Sequence, residues 1–298
     1  MQSGTDFVPI GRLAVFGVGL IGGSLVLALK VAGAVREVVG VGRSEASLEL
    51  ARAQGLIDRA ARTTAEALEG AEVVLLSVPV GQTEAVLSAM APHLQPGVLV
   101  TDAGSTKQDV VALMRRHLTD HLAWCVPGHP VAGAELSGPL AARADLYRGR
   151  NVVLTPLAEN LPQAVGRIAG MWRQCGANVR MMEAGEHDAT FAAVSHLPHL
   201  LAYALVDMIA ARDNAGQLFS FAASGFRDFT RIAGSSPEMW RDIALANRSA
   251  LLRETEAYRR KLDALHAALE QGDGEALAAL FSRAREARQQ WLDGDFAV

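Results

Sequence analysis

The sequence predicts an α/β fold in its first part and an all-helical fold in its second part. Three observations predict this division: short apolar runs alternate with helical patterns up to about residue 183, a glycine-rich turn follows the first of these runs, and strand patterns stop after residue 183. Alternating strands and helices are typical of a mostly parallel sheet covered on both faces. We therefore expect two domains, residues 1–183 and residues 184–298, each of ordinary size for a globular protein.

The first elements are a strand, a glycine turn and the start of a helix. The apolar residues 13–16 precede the motif GVGLIG, and an apolar helical pattern follows it. In such a motif the first glycine makes the tight turn, the second lets the backbone approach a pyrophosphate, and the third lets helix and strand pack closely. The N–H groups at the helix start attract the phosphates. The motif predicts a Rossmann-type dinucleotide-binding domain, with contacts from Gly17, Gly19, Leu20, Ile21 and Gly22.

The rest of the first domain continues the alternation. Six further apolar runs predict strands at residues 38–41, 73–78, 98–102, 123–126, 152–154 and 179–182. Helical patterns lie between them, at residues 24–32, 47–54, 82–90, 107–118 and 161–174. Thr63 and Glu66 have the capping-box spacing, which predicts one more short helix.

The end of the second strand indicates which dinucleotide binds. In this fold an acidic residue there binds the ribose 2′-hydroxyl, whereas an arginine accommodates a 2′-phosphate. The sequence has Arg43 and Ser44 at this point and no acidic residue. If both side chains bind a 2′-phosphate, the cofactor is NADP, or both NADP and NAD are used. The alternative is that Arg43 is solvated and Ser44 caps the next helix. Further predicted cofactor contacts, at the end of the third strand, are Ser77, Val78 and Pro79.

Two motifs in the first half carry candidate chemistry. The segment DAGSTK lies at the carboxyl end of a strand, where ligands bind in open α/β sheets. Its Ser105 either caps the following helix or directs its hydroxyl towards the nicotinamide and the substrate. The segment GHPVAGAE follows the next predicted strand, and its glycine and proline hold His129 on a rigid turn. A histidine is the natural base for a hydroxyl whose carbon loses a hydride, so His129 is the candidate base.

Histidines open the helical half in the segment SHLPH, which contains Ser195, His196 and His199. Two histidines at this spacing on a helix can bind a metal, but catalytic metal sites usually show a third ligand and supporting carboxylates. The preceding pair His187 and Asp188 offers one such carboxylate. We therefore predict no metal site, and we assign the SHLPH side chains to hydrogen bonding of the substrate or to capping of a helix end.

The segment GFRDFTRIA places Asp228 and Arg231 three residues apart, on one helix face. The pair is either a structural ion pair or an arginine that a carboxylate holds while its guanidinium binds a substrate carboxylate. Glu135 and Asp188 are candidates for the same network. Trp240 then packs either in the core or as a wall beside the site.

The sequence also predicts long helices near the C-terminus. Ser236 and Pro237 mark a helix start, with the serine as N-cap and the proline in the first helical position. The helical pattern continues to about Leu269, and a last helix is predicted over residues 274–291. Because a surface helix of that length in so small a domain needs partners, we expect a homodimer formed through the helical domain.

Composition argues against several other classes of protein. The net charge is −4 and the charges are dispersed, so no basic stripe indicates nucleic-acid binding. The uncharged residues 13–29 are the one candidate membrane span, but glycines interrupt them, and a strand followed by a helix explains them better. Cys125 and Cys175 lie in apolar surroundings without metal-ligand spacing. These features predict a cytoplasmic protein with reduced thiols that binds neither nucleic acid nor a membrane.

Four segments together are much more specific than the glycine motif. These segments, DAGSTK, GHPVAGAELSG, SHLPH and GFRDFTRIAGSSPEMW, resemble the prephenate and arogenate dehydrogenase family of tyrosine biosynthesis, and the resemblance covers nearly the whole chain. It implies oxidative decarboxylation of prephenate to 4-hydroxyphenylpyruvate, or of arogenate to tyrosine, with hydride transfer to NAD or NADP.

The resemblance also implies a role for each matching residue. His129 accepts the proton of the ring hydroxyl, and Ser105 bonds both that hydroxyl and the nicotinamide region. Arg231 binds the ring carboxylate, and His199 lies near the substrate side chain. Three acidic residues are implied to form an ionic network with Arg231: Glu135, Asp188 and Asp228. Trp240 is implied to line the pocket.

Two departures from the family leave the choice between prephenate and arogenate open: the sequence Ala-Ala-Ser-Gly before Phe226, and Ala134. One alternative is a β-hydroxyacid or imine reductase, which shares this plan but commonly uses a lysine on the long helix, where this chain has only Lys261. The other is a non-catalytic dinucleotide sensor, which needs the glycines but not the combination of His129, Ser105 and Arg231.

Overall fold

The structure, a computed structural model, describes residues 7–133 and 138–295. The chain divides into two compact units, one ending at Arg248 and the other beginning at Ser249. The first unit holds the strands and most of the helices. The second unit is helical.

The strands of the first unit form two sheets. Their bounds are β1 Ile10–Phe16, β2 Val35–Val41, β3 Arg59–Ala60, β4 Val73–Leu76, β5 Leu99–Asp102, β6 Gly128–Pro130, β7 Asn151–Leu154 and β8 Asn178–Met181. A five-stranded sheet has the order β3-β2-β1-β4-β5, with every neighbouring pair parallel. A three-stranded sheet has the order β6-β7-β8, in which β6 is antiparallel to β7 and β8 is parallel to β7.

Helices connect the strands in the first half and then continue without strands. Those of the first half are α1 Leu20–Val31, α2 Glu45–Ala53, α3 Thr64–Leu68, α4 Thr83–Met90, α5 Gln108–His117 and α6 Pro162–Gln174. Those that follow are α7 Ala184–Phe191, α8 Leu197–Ala210, α9 Ala215–Ser220, α10 Ser224–Thr230, α11 Pro237–Ala246, α12 Arg248–Glu270 and α13 Gly274–Asp293. The predicted α/β fold with a helical second half is confirmed.

Strand β1 shows why the sheet is covered on both faces. Leu13 and Val15 are fully buried in one hydrophobic cluster, and Ala14 and Phe16 lie in a second cluster. Because side chains alternate along a strand, each set faces one side of the sheet. An all-apolar run is therefore the pattern that a central parallel strand requires. The predicted reading of residues 13–29 as strand and helix is correct.

The strand predicted at residues 123–126 is wrong. The chain there forms a 3₁₀ turn, Thr119–Trp124, and only Cys125 bridges to Val100 of the sheet. Cys125 N–H donates to Leu122 O within that turn, and Pro127, which has no N–H, follows at once. The strand begins after this proline, so His129 lies in β6 rather than on a turn. The two-residue strand β3 was missed because it is too short to show a periodic pattern.

The single long helix predicted from Pro237 to Leu269 is two helices. Ser236 caps α11 as expected, its Oγ accepting from Met239 N–H at 3.3 Å. The helix is interrupted at Asn247, whose side-chain amide donates to Asp188 O at 2.8 Å and contacts His196 Nδ1 at 3.0 Å. These tertiary hydrogen bonds, which no helical periodicity reveals, accompany the break.

Of the described residues, one helical run, Ala184–Ala210, is long and apolar enough to cross a membrane by length and composition. The sequence stretch at residues 13–29 was therefore not the right candidate. The run contains α7, a π-helical turn over Ala192–His196, and α8. It also carries buried His187 and Asp188, whose polar atoms are hydrogen-bonded within the first unit. Of the most apolar window in this run, 28% is buried.

Candidate active site

The glycine motif forms a close backbone turn at the carboxyl end of β1. Gly17 has φ +92°, and a Cβ there would lie 2.5 Å from Ser77 O. A Cβ on Gly22 would lie 2.4 Å from Gly17 O, so both positions exclude any side chain. At Gly19 no described atom comes within 4 Å of an added Cβ. The turn is therefore tight on its protein side and open at Gly19, which is the shape that a pyrophosphate needs.

The other predicted contacts near this turn have different positions. Leu20 and Ile21 begin α1 and pack against the core, so only the free N–H groups of that first turn can serve a phosphate. Ser77 hydroxyl donates to Gly17 O, which braces the turn. Val78 is half-buried, whereas Pro79 is exposed where a 3₁₀ turn begins.

Arg43 and Ser44 follow β2, which ends at Val41, at the same edge of the sheet. Both residues are exposed. With the Gln82 amide turned so that its oxygen faces Arg43, that oxygen accepts from Nη1 at 3.2 Å and Nη2 at 3.1 Å. Ser44 Oγ accepts from Ser47 N–H at 3.2 Å and caps α2. The capping alternative for Ser44 is thus correct, while Gln82 steadies the guanidinium of Arg43 at the surface.

A buried ion pair within the DAGSTK segment is hydrogen-bonded to β6. Lys107 has an exposed fraction of 0% and makes a close contact with Asp102. Lys107 Nζ also donates to Gly128 O at 2.8 Å, and Asp102 Oδ1 accepts from Gly128 N–H at 3.0 Å. These bonds hold the loop that carries Ser105 beside the strand that carries His129. Ser105 is half-buried and makes no hydrogen bond to a described residue.

His129 lies in β6, opposite Val153 of β7, with an exposed fraction of 9%. Its Nδ1 lies 2.9 Å from His187 Nε2. Its Nε2 has no hydrogen-bond partner in the described parts of the chain. Burial, followed by the charges of His187 and Lys107, lowers the pKa of His129 well below its usual value. The imidazole is therefore neutral near pH 7 and able to accept a proton.

Asp188, which the sequence assigns to an ionic network with Arg231, bonds to His187 and to the backbone at the start of α5. Its Oδ1 accepts from Lys107 N–H and His187 Nδ1–H, both at 2.8 Å, and its Oδ2 accepts from Gln108 N–H at 2.9 Å. Burial raises the pKa of Asp188, but these hydrogen bonds outweigh burial and leave the pKa below its usual value. Asp188 is thus an ionised cap on the N-terminus of α5, where a negative charge is favoured.

The SHLPH side chains gather around Trp240 on α11. His199 stacks on the indole ring with centroids 3.6 Å apart, and His196 meets its edge at 5.9 Å. His199 Nδ1 bonds the backbone carbonyl of Ser195 at 2.9 Å, so Ser195 contributes through its backbone. His196 is buried and its Nε2 has no partner in the described residues. Burial lowers the pKa of His196 to about 4, so this ring is also neutral.

Arg231 lies beyond the end of α10, at an exposed position. Burial, and then the charge of Arg231, lowers the pKa of His199, which places this guanidinium on the His199 side of the site. Asp228 is exposed, and within the described residues no ion pair joins it to Arg231. The predicted network residue Glu135 lies outside the described residues.

The structure therefore connects most of the predicted residues through shared contacts. His129 reaches Asp188 through His187, and Asn247 reaches both Asp188 O and His196. Sequence reasoning missed His187 and Asn247 as members of this network, as well as the pairing of Lys107 with Asp102. His187 and Asp188 are adjacent in the sequence, but their partners lie far away along the chain, so residue spacing does not predict them. In the described parts of the chain, no group of three or more His, Cys, Asp or Glu residues could hold a metal ion.

Comparison with known proteins matches both halves of the chain. The family model described as "Prephenate dehydrogenase, nucleotide-binding domain" matches residues 25–181. The model described as "Prephenate dehydrogenase, dimerization domain" matches residues 183–283.

Curated relatives carry related names. The cyclohexadienyl dehydrogenase of Zymomonas mobilis is 37% identical over 279 residues, which cover 93% of this chain and 94% of that protein. The prephenate dehydrogenase of Bacillus subtilis is 36% identical over 274 residues, covering 91% of this chain and 74% of that protein. A β-hydroxyacid or imine reductase is not favoured by these matches.

Two solved structures agree with these matches. Prephenate dehydrogenase from A. aeolicus, in complex with hydroxyphenyl propionate and NAD⁺, superposes with a TM-score of 0.90 at 31% identity and covers 95% of this chain and 99% of that chain. Arogenate dehydrogenase from Synechocystis superposes with a TM-score of 0.79 at 28% identity, over 94% of this chain and 99% of the other. Because both of its halves match, the chain belongs to the prephenate dehydrogenase family, whose relatives include cyclohexadienyl and arogenate dehydrogenases.

Proposed function

We propose that this chain oxidatively decarboxylates prephenate, arogenate or both in tyrosine biosynthesis, with NAD or NADP as the hydride acceptor. The observation that carries the proposal is the placement of a neutral His129, with its Nε2 unbonded in the described residues, on the strand next to the Ser105 loop. The relatives described above are named as prephenate, arogenate and cyclohexadienyl dehydrogenases. We place the boundary between the two domains between residues 183 and 184.

The residues at the sheet edge fit a dinucleotide. The backbone at Gly19 is open, and the first turn of α1 presents N–H groups to a pyrophosphate. When bound, the nicotinamide supplies a hydride acceptor. Ser105 then bonds the substrate hydroxyl and the nicotinamide region, because its hydroxyl is not engaged by the described protein.

His129 takes the proton of the ring hydroxyl as the hydride leaves the same carbon. The carboxylate then departs as carbon dioxide, and the electron pair of the broken C–C bond enters the ring. The ring oxygen gains negative charge and recovers the proton from His129, so no net proton is released. Aromatisation drives the reaction, and the protein orients the substrate and transfers one proton.

Substrate binding is assigned to the histidines and Arg231. Arg231 binds the ring carboxylate, since its charge acts on His199 and a guanidinium pairs with a carboxylate. His199, His196 and Trp240 line the substrate side-chain region, where the unpartnered His196 Nε2 is available to donate. We propose a cytoplasmic homodimer, assembled through the helical domain.

The test is an absorbance assay of reduced cofactor with prephenate and with arogenate, each with NAD and NADP. His129→Asn should lower turnover by ~10²–10⁴-fold, the usual contribution of one proton-transfer residue, and leave the cofactor Kd unchanged. Wild-type turnover in this variant would reject His129 as the base. Absence of cofactor reduction with both substrates would reject the function itself.

Cofactor choice is assigned to Arg43, with NADP or both cofactors used. Because a guanidinium pairs with a 2′-phosphate, Arg43→Leu should raise the KM for NADP more than the KM for NAD. Arg52→Leu, the same substitution at an exposed arginine in the last turn of α2, is the matched control. Equal changes in both KM values would remove Arg43 from cofactor discrimination.

A further inference from the structure

Three buried side chains form a continuous hydrogen-bonded row that ends at His129. His187 has an exposed fraction of 0% and Asp188 one of 1%. Asp188 Oδ1 lies 2.8 Å from His187 Nδ1, and His187 Nε2 lies 2.9 Å from His129 Nδ1. His187 bonds on both ring nitrogens, so its role in the row is fully specified by its two neighbours.

The position of each proton follows from the chemistry of the acceptor at the far end. An ionised carboxylate only accepts, so the proton of a neutral His187 lies on Nδ1. His187 Nε2 then carries a lone pair and accepts from His129, whose proton must lie on Nδ1. His129 Nε2 is left with a lone pair. The row therefore has one consistent arrangement of protons as long as Asp188 is ionised.

We infer that His187 and Asp188 are positioning residues that hold His129 as the Nδ1–H tautomer, which makes Nε2 the atom that accepts the substrate proton. The identity of that proton rests on the proposed function. The tautomer does not, because it follows from the protein's own hydrogen bonds.

The far end of the row is rigid. Asp188 accepts from the N–H groups of Lys107 and Gln108, so both carboxylate oxygens are held by the N-terminus of α5. Those N–H groups and the helix dipole favour the ionised carboxylate. Asp188 therefore cannot rotate away from His187 without losing the cap of α5.

The row also compensates charge. When His129 Nε2 gains a proton, the imidazolium donates more strongly through Nδ1–H to His187. The negative charge of Asp188 stabilises that cation through His187, while buried Lys107 opposes it. Phe191 packs at 4.7 Å from the His129 ring and at 4.4 Å from the His187 ring, centroid to centroid, and keeps this region apolar.

The tautomer is measured directly by ¹⁵N NMR of histidine-labelled enzyme, without reference to activity. We expect wild-type His129 to show a protonated Nδ1 and an unprotonated Nε2 at pH 7.5. His187→Leu removes the acceptor, so a substantial fraction of His129 should change to the Nε2–H tautomer. His187→Gln keeps an acceptor oxygen and should retain the Nδ1–H tautomer, which preserves the test if the leucine variant does not fold.

Kinetics provide the second measurement. His187→Leu should lower kcat by ~10–100-fold with KM within about twofold, less than the ~10²–10⁴-fold expected for removing the base itself. His187→Gln should lose less kcat than His187→Leu, because it restores the tautomer without the link to Asp188. Phe191→Leu, which disturbs packing around the same rings, is the matched control and should leave the His129 tautomer unchanged.

Two results would overturn the inference: an Nε2–H tautomer of His129 in the wild type, or the same tautomer in His187→Leu as in the wild type. A different result separates the two proposals. If the tautomers change as expected while His129→Asn keeps full turnover, the positioning role of His187 and Asp188 is supported and the role of His129 as base is rejected.

Discussion

Buried neutral histidines make this protein sensitive to acid. His196 is the best-defined case, since burial lowers its pKa to about 4 while an unfolded chain titrates near the ordinary value of 6.5. Between these values the unfolded state binds the proton and the folded state does not. His196 therefore contributes stability that is fully present above the unfolded pKa and is lost as the pH falls towards 4.

Because His196 is protonated only in the unfolded state, we expect it to lower the free energy of unfolding by about 2 kcal/mol between pH 7 and pH 5. Urea unfolding at both pH values measures the loss. His196→Gln, which cannot titrate, should reduce the loss by about that amount. An identical pH dependence in the variant and the wild type would show that this ring is not buried neutral.

Other residues of the site were recognised in the sequence with incomplete roles. Asp188 and Ser44 illustrate this: each was considered for binding, and each caps a helix through its oxygen atoms. A short polar side chain near a helix start serves equally well as cap and as ligand contact. Only the position of its hydrogen-bonding partners distinguishes the two roles.

At the scale of elements, the break between α11 and α12 is the clearest departure from expectation. Residues on both sides of Asn247 favour helix, and asparagine is only mildly unfavourable in one. The amide of Asn247 bonds Asp188 O and His196 Nδ1. Asp188 O also accepts from Ala192 N–H, whereas within the described residues Asn247 is the donor to the buried His196 Nδ1. Local preference was thus overruled by two tertiary hydrogen bonds.

Asn247→Ala should destabilise the protein by ~1–3 kcal/mol in urea unfolding, because the buried His196 Nδ1 loses its donor and Asp188 O loses one of its two donors. The gain in helix propensity from alanine, about 0.5 kcal/mol, offsets only part of this. Asn178→Ala is the control, since that exposed amide donates to Gly149 O at 3.1 Å. Equal losses in the two variants would contradict the role of Asn247.

At the scale of the whole molecule, the second unit exposes a large apolar surface. Leu269 is 66% exposed and Phe281 is 59% exposed. A groove of about 670 Å³ lies between α12 and α13, and its lining residues are Leu262, Asp263, Leu265, His266, Leu269, Leu277 and Phe281. Exposed apolar surface of this kind marks an association surface. The family model that matches residues 183–283 is described as a dimerization domain.

We expect the chain to sediment as a dimer in analytical ultracentrifugation, and Phe281→Glu to shift it towards monomer because a charge would be buried in an apolar contact. Arg283→Glu, a charge change at an exposed position that is two residues from Phe281 and so on a different face of α13, is the control. A dimer of unchanged strength in Phe281→Glu would exclude this groove as the association surface.

The sequence by itself determined the fold class, the glycine turn and the family. These depend on local patterns: apolar runs for buried strands, a glycine at Gly17 where φ is positive, and contiguous motifs. The tertiary structure alone decided the hydrogen-bond partners of His129, Asp188 and Asn247, because each bonds to a residue far away in the chain. Contacts of that kind arise from packing, and spacing along one chain contains no record of them.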